Sequence, residues 1–426
     1  MGTAALCGTL LLAACGSTPH TGSADRTPVQ IADAPARLPV PKGKGSRTAD
    51  DFNGDGHRDL VLGDLVKEQA HADDPGIGVV YGSERGLVPG TRQLITPSGQ
   101  GAATDGQLPA LFDAEATCDL DEDGFTDLVV STDPPYDGQG RPPVPLQILF
   151  GSPTGLTGKA VHLTVPPAAR VGNDWPDQPV CGDFDGDGAK DLVLHASGGR
   201  LTYLRGPFTR KGAPSEAGAP IQSPGEVPTG PAADVDRDGY DDLVVRTAQG
   251  PGPSAVVLGG PAGPTRTGAV LPSGIDVALG SFGRGEALDA AVGAMGGTSL
   301  RYDLPGAVRG SLAAAGSVLD AADFDGDGRS DLVSSGSRLR VFQGRTAGLS
   351  AQATVTVEPP ATGTTRVLAV GDFDGDDRAD LAVRTYQSET KDIVAVYAGA
   401  EKGLVSPRPA VTFSTSAFLT GPVRED

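Results

Sequence analysis

Six short segments of this 426-residue chain each concentrate carboxylates at the same spacing. The clearest reads Asp183-Phe184-Asp185-Gly186-Asp187-Gly188 and is completed by Asp191, so acidic side chains occupy positions 1, 3, 5 and 9 of a nine-residue loop. Carboxylates crowded in this way repel one another unless a cation neutralises them. Ca²⁺ is the cation that accepts flexible clusters of hard oxygen ligands, so the segment predicts a calcium-binding loop.

The same spacing recurs along the chain, and we number the copies as loops 1 to 7, beginning at residues 51, 119, 183, 234, 281, 323 and 372. Six copies are intact and predict about six Ca²⁺ sites. Their predicted ligands are Asp51, Asn53, Asp55 and Asp59 in loop 1; Asp119, Asp121, Asp123 and Asp127 in loop 2; Asp183, Asp185, Asp187 and Asp191 in loop 3; Asp234, Asp236, Asp238 and Asp242 in loop 4; Asp323, Asp325, Asp327 and Asp331 in loop 6; and Asp372, Asp374, Asp376 and Asp380 in loop 7.

Two loops depart from the pattern. Loop 5 carries Ser281, Gly283 and Gly285 at positions 1, 3 and 5, so we expect no ion there. Loop 7 has Asp377 at position 6, where glycine would turn sharply with a positive φ, and we expect this change to weaken the seventh site.

The loops must be positioned by strands, because each intact copy is followed by an apolar run such as Leu192-Val193-Leu194. A second β-rich segment ending in glycine comes later in most repeats, and a weaker strand pattern follows it. Successive loops begin 42 to 68 residues apart. Four antiparallel strands per repeat, in seven repeats, predict an all-β, seven-bladed β-propeller with the ion loops between the first two strands of most blades.

Composition agrees with a turn-rich β protein. The chain has 62 Gly and 36 Pro and no segment with sustained helical periodicity. Its formal net charge of −20 argues against nucleic-acid binding, which needs a basic surface.

The N-terminus predicts export. Residues 1–14 resemble a signal peptide, and Leu12-Ala13-Ala14-Cys15 resembles a bacterial lipobox, which would place a lipid on Cys15. No basic residue precedes the apolar run, so a plain secretory signal is the alternative. Residues 15–46 predict a flexible Pro/Gly/Ser-rich tether, and residues 47–420 the propeller. We expect membrane contact only through the lipid anchor, on the outer face of the bacterial cytoplasmic membrane, or secretion.

Two cysteines remain apart from Cys7 and Cys15 of the N-terminal segment. They are Cys118 and Cys181, and each lies just before an ion loop. An even pair in an exported protein favours a disulfide over two buried thiols. The two cysteines are offset by one residue relative to their loops, which places them on opposite faces of equivalent strands. We take this offset as an argument against the bond, and both alternatives stay open.

The Phe-Asp-Gly-Asp-Gly loops, with Tyr81-Gly82-Ser83 and Gly86-Leu87 downstream, resemble the FG-GAP and VCBS repeats of integrin α-chain propellers. The resemblance covers residues 47 to 415. It implies that Ca²⁺ is held by positions 1, 3, 5 and 9 and by the carbonyl of position 7. The EF-hand alternative is rejected, since position 12 of the loops is not acidic and a β-run rather than a helix follows.

The sequence predicts no catalytic constellation. None of the five histidines lies in a recognised catalytic spacing, and Gly-x-Ser-x-Gly is absent. Trp175, with Asn173, Asp174 and Asp177, could line a carbohydrate pocket or simply cap a blade edge. We expect a monomeric, membrane-tethered binding or adhesion module for a protein or glycan, in which calcium is structural. An exported hydrolase or lyase, with its site at the propeller mouth, is the alternative.

Overall fold

Seven antiparallel sheets follow one another along the chain in the computed structural model of this protein, one for each repeat. The structure describes residues 36–419, except 68, 70–72, 74, 173–174, 247–251, 284, 305, 307, 315 and 317. The predicted signal segment and Cys15 lie outside this part. The prediction of an all-β, seven-bladed propeller is confirmed.

Blades 1 to 3 contain twelve strands. Blade 1 has three strands, with no strand described before its loop, and two short strands share the outer position of blade 3. Their bounds are β1 Leu60–Leu62, β2 Ile77–Val80 and β3 Arg92–Ile95 in blade 1; β4 Asp113–Cys118, β5 Asp127–Ser131, β6 Leu146–Leu149 and β7 Val161–His162 in blade 2; and β8 Val180–Gly182, β9 Asp191–Ala196, β10 Arg200–Arg205, β11 Glu216–Ala217 and β12 Ile221–Gln222 in blade 3.

Blades 4 to 7 each have four strands in chain order, and a small hairpin (β28–β29) interrupts blade 7. Their bounds are β13 Val227–Ala233, β14 Asp242–Arg246, β15 Ser254–Leu258 and β16 Arg266–Leu271; β17 Asp276–Gly280, β18 Asp289–Ala294, β19 Gly297–Tyr302 and β20 Val308–Leu312; β21 Val318–Ala322, β22 Asp331–Ser335, β23 Leu339–Phe342 and β24 Thr354–Val357; and β25 Thr364–Gly371, β26 Asp380–Ser388, β27 Lys391–Tyr397, β28 Gly399–Ala400, β29 Leu404–Val405 and β30 Val411–Phe413.

Helix is scarce among the described residues. There is one α-helical turn, α1 Pro97–Gln100, and there are two 3-10 turns, Pro167–Ala169 and Thr415–Phe418. A strand begins at or just after the end of every loop. The EF-hand arrangement, which places a helix there, is therefore absent from the described loops.

The core is divided among the seven blade interfaces. Each of seven apolar clusters combines residues from two consecutive blades, and one of them joins blade 7 to blade 1. The aromatic residues at loop position 2 are fully buried in these clusters: Phe52, Phe184, Phe282, Phe324 and Phe373. Burying one such side chain contributes about 1.5–3 kcal/mol, so each loop is also attached to the core.

The seam between blades 7 and 1 contains a buried ion pair. Arg384 Nε lies 2.7 Å from Asp392 Oδ2, and these side chains are 1% and 0% exposed. The other guanidinium nitrogens donate to the carbonyls of Gly63 and Asp64 in blade 1. Thr415 Oγ1 donates to Asp392 and accepts from Val66 N–H, so the C-terminal turn also fastens the seam.

Cys118 and Cys181 are joined by a disulfide between β4 and β8, with their Cα atoms 6.5 Å apart. Blades 2 and 3 pack face to face, so the two sheets turn opposite faces toward each other. Equivalent strands can therefore be bridged only from side chains on opposite faces. The one-residue offset, which the sequence analysis counted against the bond, is what this packing requires.

Candidate metal centres

The seven loops share one hydrogen-bond framework, built on the aspartate at position 9. One carboxylate oxygen accepts the N–H of loop position 2, and the other accepts an N–H just after the strand that follows the one starting at the loop, which is β2 in blade 1 and the third strand in the other blades. In loop 6, for example, Asp331 accepts from Phe324 N at 3.1 Å and from Gly344 N at 2.8 Å. These contacts explain why most third strands end in glycine: a Cβ on Gly344 would lie 2.3 Å from the carbonyl oxygen of Ser330.

Position 1 holds the turn of each intact loop. Asp234, for example, accepts the N–H groups of Asp238 and Gly239, both at 3.0 Å. Residues at positions 4 and 6 adopt positive φ, and most of them are glycine. Asp377 also adopts this conformation, with φ 64°, because aspartate tolerates the left-handed region better than most residues.

The predicted ligands converge in the structure. Carboxylate oxygens from positions 1, 3 and 9 lie within 4.8 Å of one another in five loops: Asp119, Asp121 and Asp127; Asp183, Asp185 and Asp191; Asp234, Asp236 and Asp242; Asp323, Asp325 and Asp331; Asp372, Asp374 and Asp380. Loop 1 has the same hydrogen-bonding pattern, with an amide at position 3. Asp123, Asp187, Asp238, Asp327 and Asp376, at position 5, are not part of these close triads.

One buried side-chain oxygen in each intact loop accepts no hydrogen bond. These atoms are the Oδ1 atoms of Asn53, Asp121, Asp183, Asp236, Asp325 and Asp374. A buried oxygen without a donor is costly, and a cation would satisfy it. Each intact loop therefore has one buried oxygen without a donor, next to further oxygen ligands of the same loop. Ca²⁺ binds sets of oxygen ligands of this kind, so the residues of each loop fit the predicted ion.

Burial raises the pKa of the position-9 carboxyls, and repulsion from the other loop carboxylates adds to the effect. The pKa rises to about 8 for Asp59 and Asp127, to about 7 for Asp331 and Asp380, and to about 6 for Asp191 and Asp242. A bound cation would favour the ionised forms and lower the pKa of these carboxyls. It would thereby offset the free-energy cost of burying the carboxylates.

Arginines face the position-5 carboxylates of five loops. The pairs are Arg210 with Asp123, Arg205 with Asp187, Arg266 with Asp238, Arg329 with Asp327 and Arg378 with Asp376. Arg329 and Arg378 occupy position 7 of their own loops and could have been found from spacing. Arg210 could not, because it lies in blade 3 and contacts loop 2 of blade 2.

Neighbouring loops are also hydrogen-bonded to one another. At four junctions the N–H at position 8 of one loop donates to the position-1 carbonyl of the preceding loop: Thr126 to Asp51, Asp241 to Asp183, Ser330 to Ser281 and Ala379 to Asp323. The position-8 side chain can return the contact, since Asp51 N–H donates to Thr126 Oγ1. With the bond from Leu288 N–H of loop 5 to the Val235 carbonyl of loop 4, these contacts join loop 1 to loop 2 and loops 3 to 7 to one another. We call the loops, which lie at one end of the propeller, the loop belt.

Loop 1 is covered by the last residues of the predicted tether, 41–46, which we call the strap. Asn53 Nδ2 donates to the Pro41 carbonyl, and the N–H groups of Gly43 and Lys44 donate to the carbonyls of Asn53 and Gly54. Ser46 Oγ donates to Asp51. An asparagine at position 3 therefore offers a donor to the strap and keeps its carbonyl oxygen for an ion, which an aspartate could not do.

The end opposite the loops carries the residues around Trp175. Trp175 packs edge-on against Tyr136 of the 133–145 insert, with ring centroids 5.7 Å apart. Asp177 Oδ1 lies 2.9 Å from His195 Nδ1, a contact that raises the pKa of His195. Asn173 and Asp174 lie outside the described residues. The sequence does not single out His195, because it and Asp177 are 18 positions apart, in no recognised spacing.

A family model described as an FG-GAP-like repeat matches residues 323–383, from the start of loop 6 to β26. The chain carries an FG-GAP-like repeat. This repeat contains two loops with converging carboxylates, and the other intact loops share their geometry. The FG-GAP resemblance stated from the sequence is thus confirmed for residues 323–383.

Other comparisons cover different shares of the chain. Phosphatidylinositol-glycan-specific phospholipase D of Mus musculus is 30% identical over 168 residues, which are 36% of this chain and 18% of that protein. The matched region is thus less than a fifth of the length of this relative. The structure of BBS1N in complex with ARL6DN covers 88% of this chain and 97% of that one at 13% identity and a TM-score of 0.47. The Dos1 propeller covers 88% and 87% at 9% identity and a TM-score of 0.45.

None of the helices in the described part of the chain has the length and apolar character needed to cross a bilayer.

Proposed function

We propose that this protein is an exported, calcium-stabilised propeller that binds a protein or glycan partner while a lipid on Cys15 holds it at the membrane. The observation that carries the calcium assignment is the single orphaned oxygen in each intact loop. FG-GAP repeats are typical of extracellular proteins, which supports export. Bound ions would supply positive charge that holds the acidic loops closed.

The two ends of the propeller carry different kinds of residues. At one end the loop belt fixes the first two strands of each blade. The inserts and strand connections at the other end contain none of the predicted calcium ligands. Tyr136 and Trp175, an aromatic pair, are in contact at this end. Loops carried on a rigid scaffold are the usual place for partner recognition, so this end is proposed to bind.

The binding proposal is tested by cross-linking the full chain on intact cells and recovering it with any partner. Tyr136→Ala and Trp175→Ala should lose the partner while keeping the thermal midpoint, because both residues lie away from the core clusters. Asp325→Asn, in loop 6, is the matched control and should retain the partner at saturating calcium. Partner recovery that both aromatic variants leave unchanged would contradict the assignment of this end.

The lipid anchor is tested separately by labelling cells with radioactive palmitate. Incorporation into the wild-type protein and none into Cys15→Ser is expected. Label-free wild-type protein in the medium would favour the plain secretory alternative.

A second candidate function, an exported hydrolase or lyase, is favoured by one specific contact. His195 is oriented by Asp177, and an imidazole held by a carboxylate can act as a general base. The partial match to a protein named a phospholipase D points in the same direction. Turnover of phosphatidylinositol-glycan by purified protein, lost in His195→Gln, would support this function, and equal turnover by the variant would exclude His195 from it.

A further inference from the structure

The disulfide between Cys118 and Cys181 lies at a gap in the loop belt. Most neighbouring loops are joined by a backbone hydrogen bond from position 8 of one loop to the preceding loop. Within the described part of the chain, the Lys190 N–H of loop 3 makes no such bond to the Asp119 carbonyl of loop 2. The Lys190 side chain is directed to loop 4 instead, with Nζ 3.3 Å from Asp241 Oδ2. The covalent bond therefore joins two loops that lack the usual hydrogen bond.

Each cysteine is attached closely to the predicted ligands of its loop. Cys118 directly precedes Asp119, the position-1 ligand of loop 2, and it is paired with Asp127, the position-9 ligand, in the β4–β5 ladder. Cys181 lies two residues before Asp183, the position-1 ligand of loop 3. The next residue of its strand is paired with the position-9 ligand of that loop. A displacement of either cysteine therefore moves two ligands of the corresponding loop.

The position-1 ligands beside the disulfide also determine the shape of the two loops. Asp119 accepts the N–H groups of Asp123 and Gly124 at 3.1 and 2.8 Å. Asp183 accepts the N–H of Gly188 at 3.0 Å, and its Oδ1 is the orphaned oxygen of loop 3. An ion that draws the carboxylates of one loop together would therefore fix its turn and the strand end that carries the cysteine.

Noncovalent contacts also cross from blade 3 to loop 2, but they do not join the two position-1 ligands. Phe208 N–H donates to the Leu120 carbonyl at 2.7 Å, and bonds equivalent to this one occur at other junctions. Arg210 Nε lies 2.6 Å from Asp121 Oδ2, a contact between side chains at the rim of the loop. The disulfide is the contact that links the end of β4 to the end of β8.

We propose that the Cys118–Cys181 disulfide couples calcium binding at loops 2 and 3, so that an ion in one loop favours an ion in the other. An ion in loop 3 fixes the end of β8, and the disulfide transmits this restraint to the end of β4 and to the position-1 ligand of loop 2. The second ion then binds a loop that has already lost part of its conformational freedom, which raises its affinity. The coupling is reciprocal, as for any pair of binding free energies. The inference rests on the proposed calcium sites.

The experiment uses hydrogen–deuterium exchange and mass spectrometry of the full-length protein to measure the calcium concentration at which each loop reaches half of its full protection. Asp185→Asn, which changes a ligand of loop 3, should raise this concentration for loop 2 about fivefold, a factor at the lower end of usual coupling between sites. In a Cys118→Ala/Cys181→Ala background the same substitution should leave loop 2 unchanged. Asp325→Asn, at the equivalent position of loop 6, is the matched control and should not affect loop 2 in either background.

Further measurements separate coupling from a loss of stability. Each variant is first checked by circular dichroism for its fold at saturating calcium. Wild-type protein reduced by a dithiol, which is itself oxidised to a disulfide as the two cysteine thiols form, should behave like the double alanine variant. Asp289→Ala, which should lower stability in another blade, should leave the calcium response of loop 2 unchanged.

The possible failures can be told apart. If loops 6 and 7 respond to calcium but Asp185→Asn leaves loop 2 unchanged, or shifts it equally without the disulfide, the coupling is overturned and the calcium sites stand. Unfolding of the disulfide-free protein at saturating calcium would overturn the coupling in favour of a bond that serves stability alone. If no loop responds to calcium, the proposed function fails and the coupling fails with it.

Discussion

The aspartate at position 9 is both a predicted metal ligand and an acceptor for backbone N–H groups. Loop 5 keeps only the second role. In five loops it converges with two other carboxylates and also accepts two backbone N–H groups. In loop 5 the ion ligands are lost and Asp289 is retained, with both backbone contacts intact. Position 9 is therefore a structural acceptor in every blade, whether or not the loop holds a cation.

This division of roles predicts different outcomes for two substitutions. Asp289→Ala leaves two buried N–H groups without acceptors, at about 1–3 kcal/mol each, so it should destabilise the protein equally with and without calcium. Asp325→Asn, at position 3 of loop 6, should remove one bound Ca²⁺ and destabilise only the calcium-loaded protein. Urea unfolding in both conditions checks this, and a calcium-dependent loss in Asp289→Ala would contradict it.

The raised pKa values of the position-9 carboxyls predict how pH affects the calcium-free protein. Their folded-state pKa values, about 6 to 8, lie above the unfolded value of 3.8. Their contribution to stability is therefore fully present below pH 3.8 and is lost as the pH rises through 6 to 8. Protein stripped of calcium should unfold more easily at pH 8 than at pH 5. At saturating calcium the slope should flatten or reverse, and the same decline in both states would refute the assignment.

At the scale of the elements, the strap makes the first calcium site part of the N-terminal attachment. A Cβ on Gly43 would lie 1.9 Å from the carbonyl of Gly54, so the strap fits loop 1 only because glycine stands at this position. Lys42 and Lys44, on either side, are exposed. Whatever orders loop 1 should therefore protect the strap from proteolysis.

Trypsin cleavage after Lys42 and Lys44 should be on the order of tenfold slower with calcium than in chelator, a difference that about 1.4 kcal/mol of local stability would produce. Asn53→Ala should accelerate cleavage in calcium by removing the contact with Pro41. The remote Asp325→Asn serves as the control, because loop 6 does not touch the strap. Mass spectrometry of the released N-terminus measures the rate, and equal rates in calcium and chelator would refute the link.

The elements also show where sequence reasoning succeeds. One motif repeated seven times predicts both the blades and the ligands, because each copy contains its loop and the strand that follows. The strap, Arg210 and the Asp177–His195 contact could not be predicted, since each joins parts of the chain that only the folded ring brings together. The offset of Cys118 and Cys181 was in the sequence, but its meaning depends on which blade faces oppose each other.

For the whole molecule, the loop belt should make the fold depend on calcium. A single ion at a concentration 100-fold above its Kd contributes about 2.7 kcal/mol. Three such sites would already contribute as much as the net stability of many domains, about 5–15 kcal/mol. Removing calcium should therefore lower the thermal midpoint by well over 10 °C, and restoring calcium should recover it. A midpoint that chelator leaves unchanged would contradict the structural role of the ions.

The strap and the disulfide together determine how the ring would carry mechanical tension. In a protein held by its N-terminus, a pull along residues 41–46 loads the hydrogen bonds to loop 1 and, through Ser46 N–H, the Gly124 carbonyl of loop 2. Loop 2 begins directly after Cys118, whose bond to Cys181 spreads the load into blade 3. Force is thus led toward the covalently bridged blades, away from the seam between blades 7 and 1, where only noncovalent contacts resist separation.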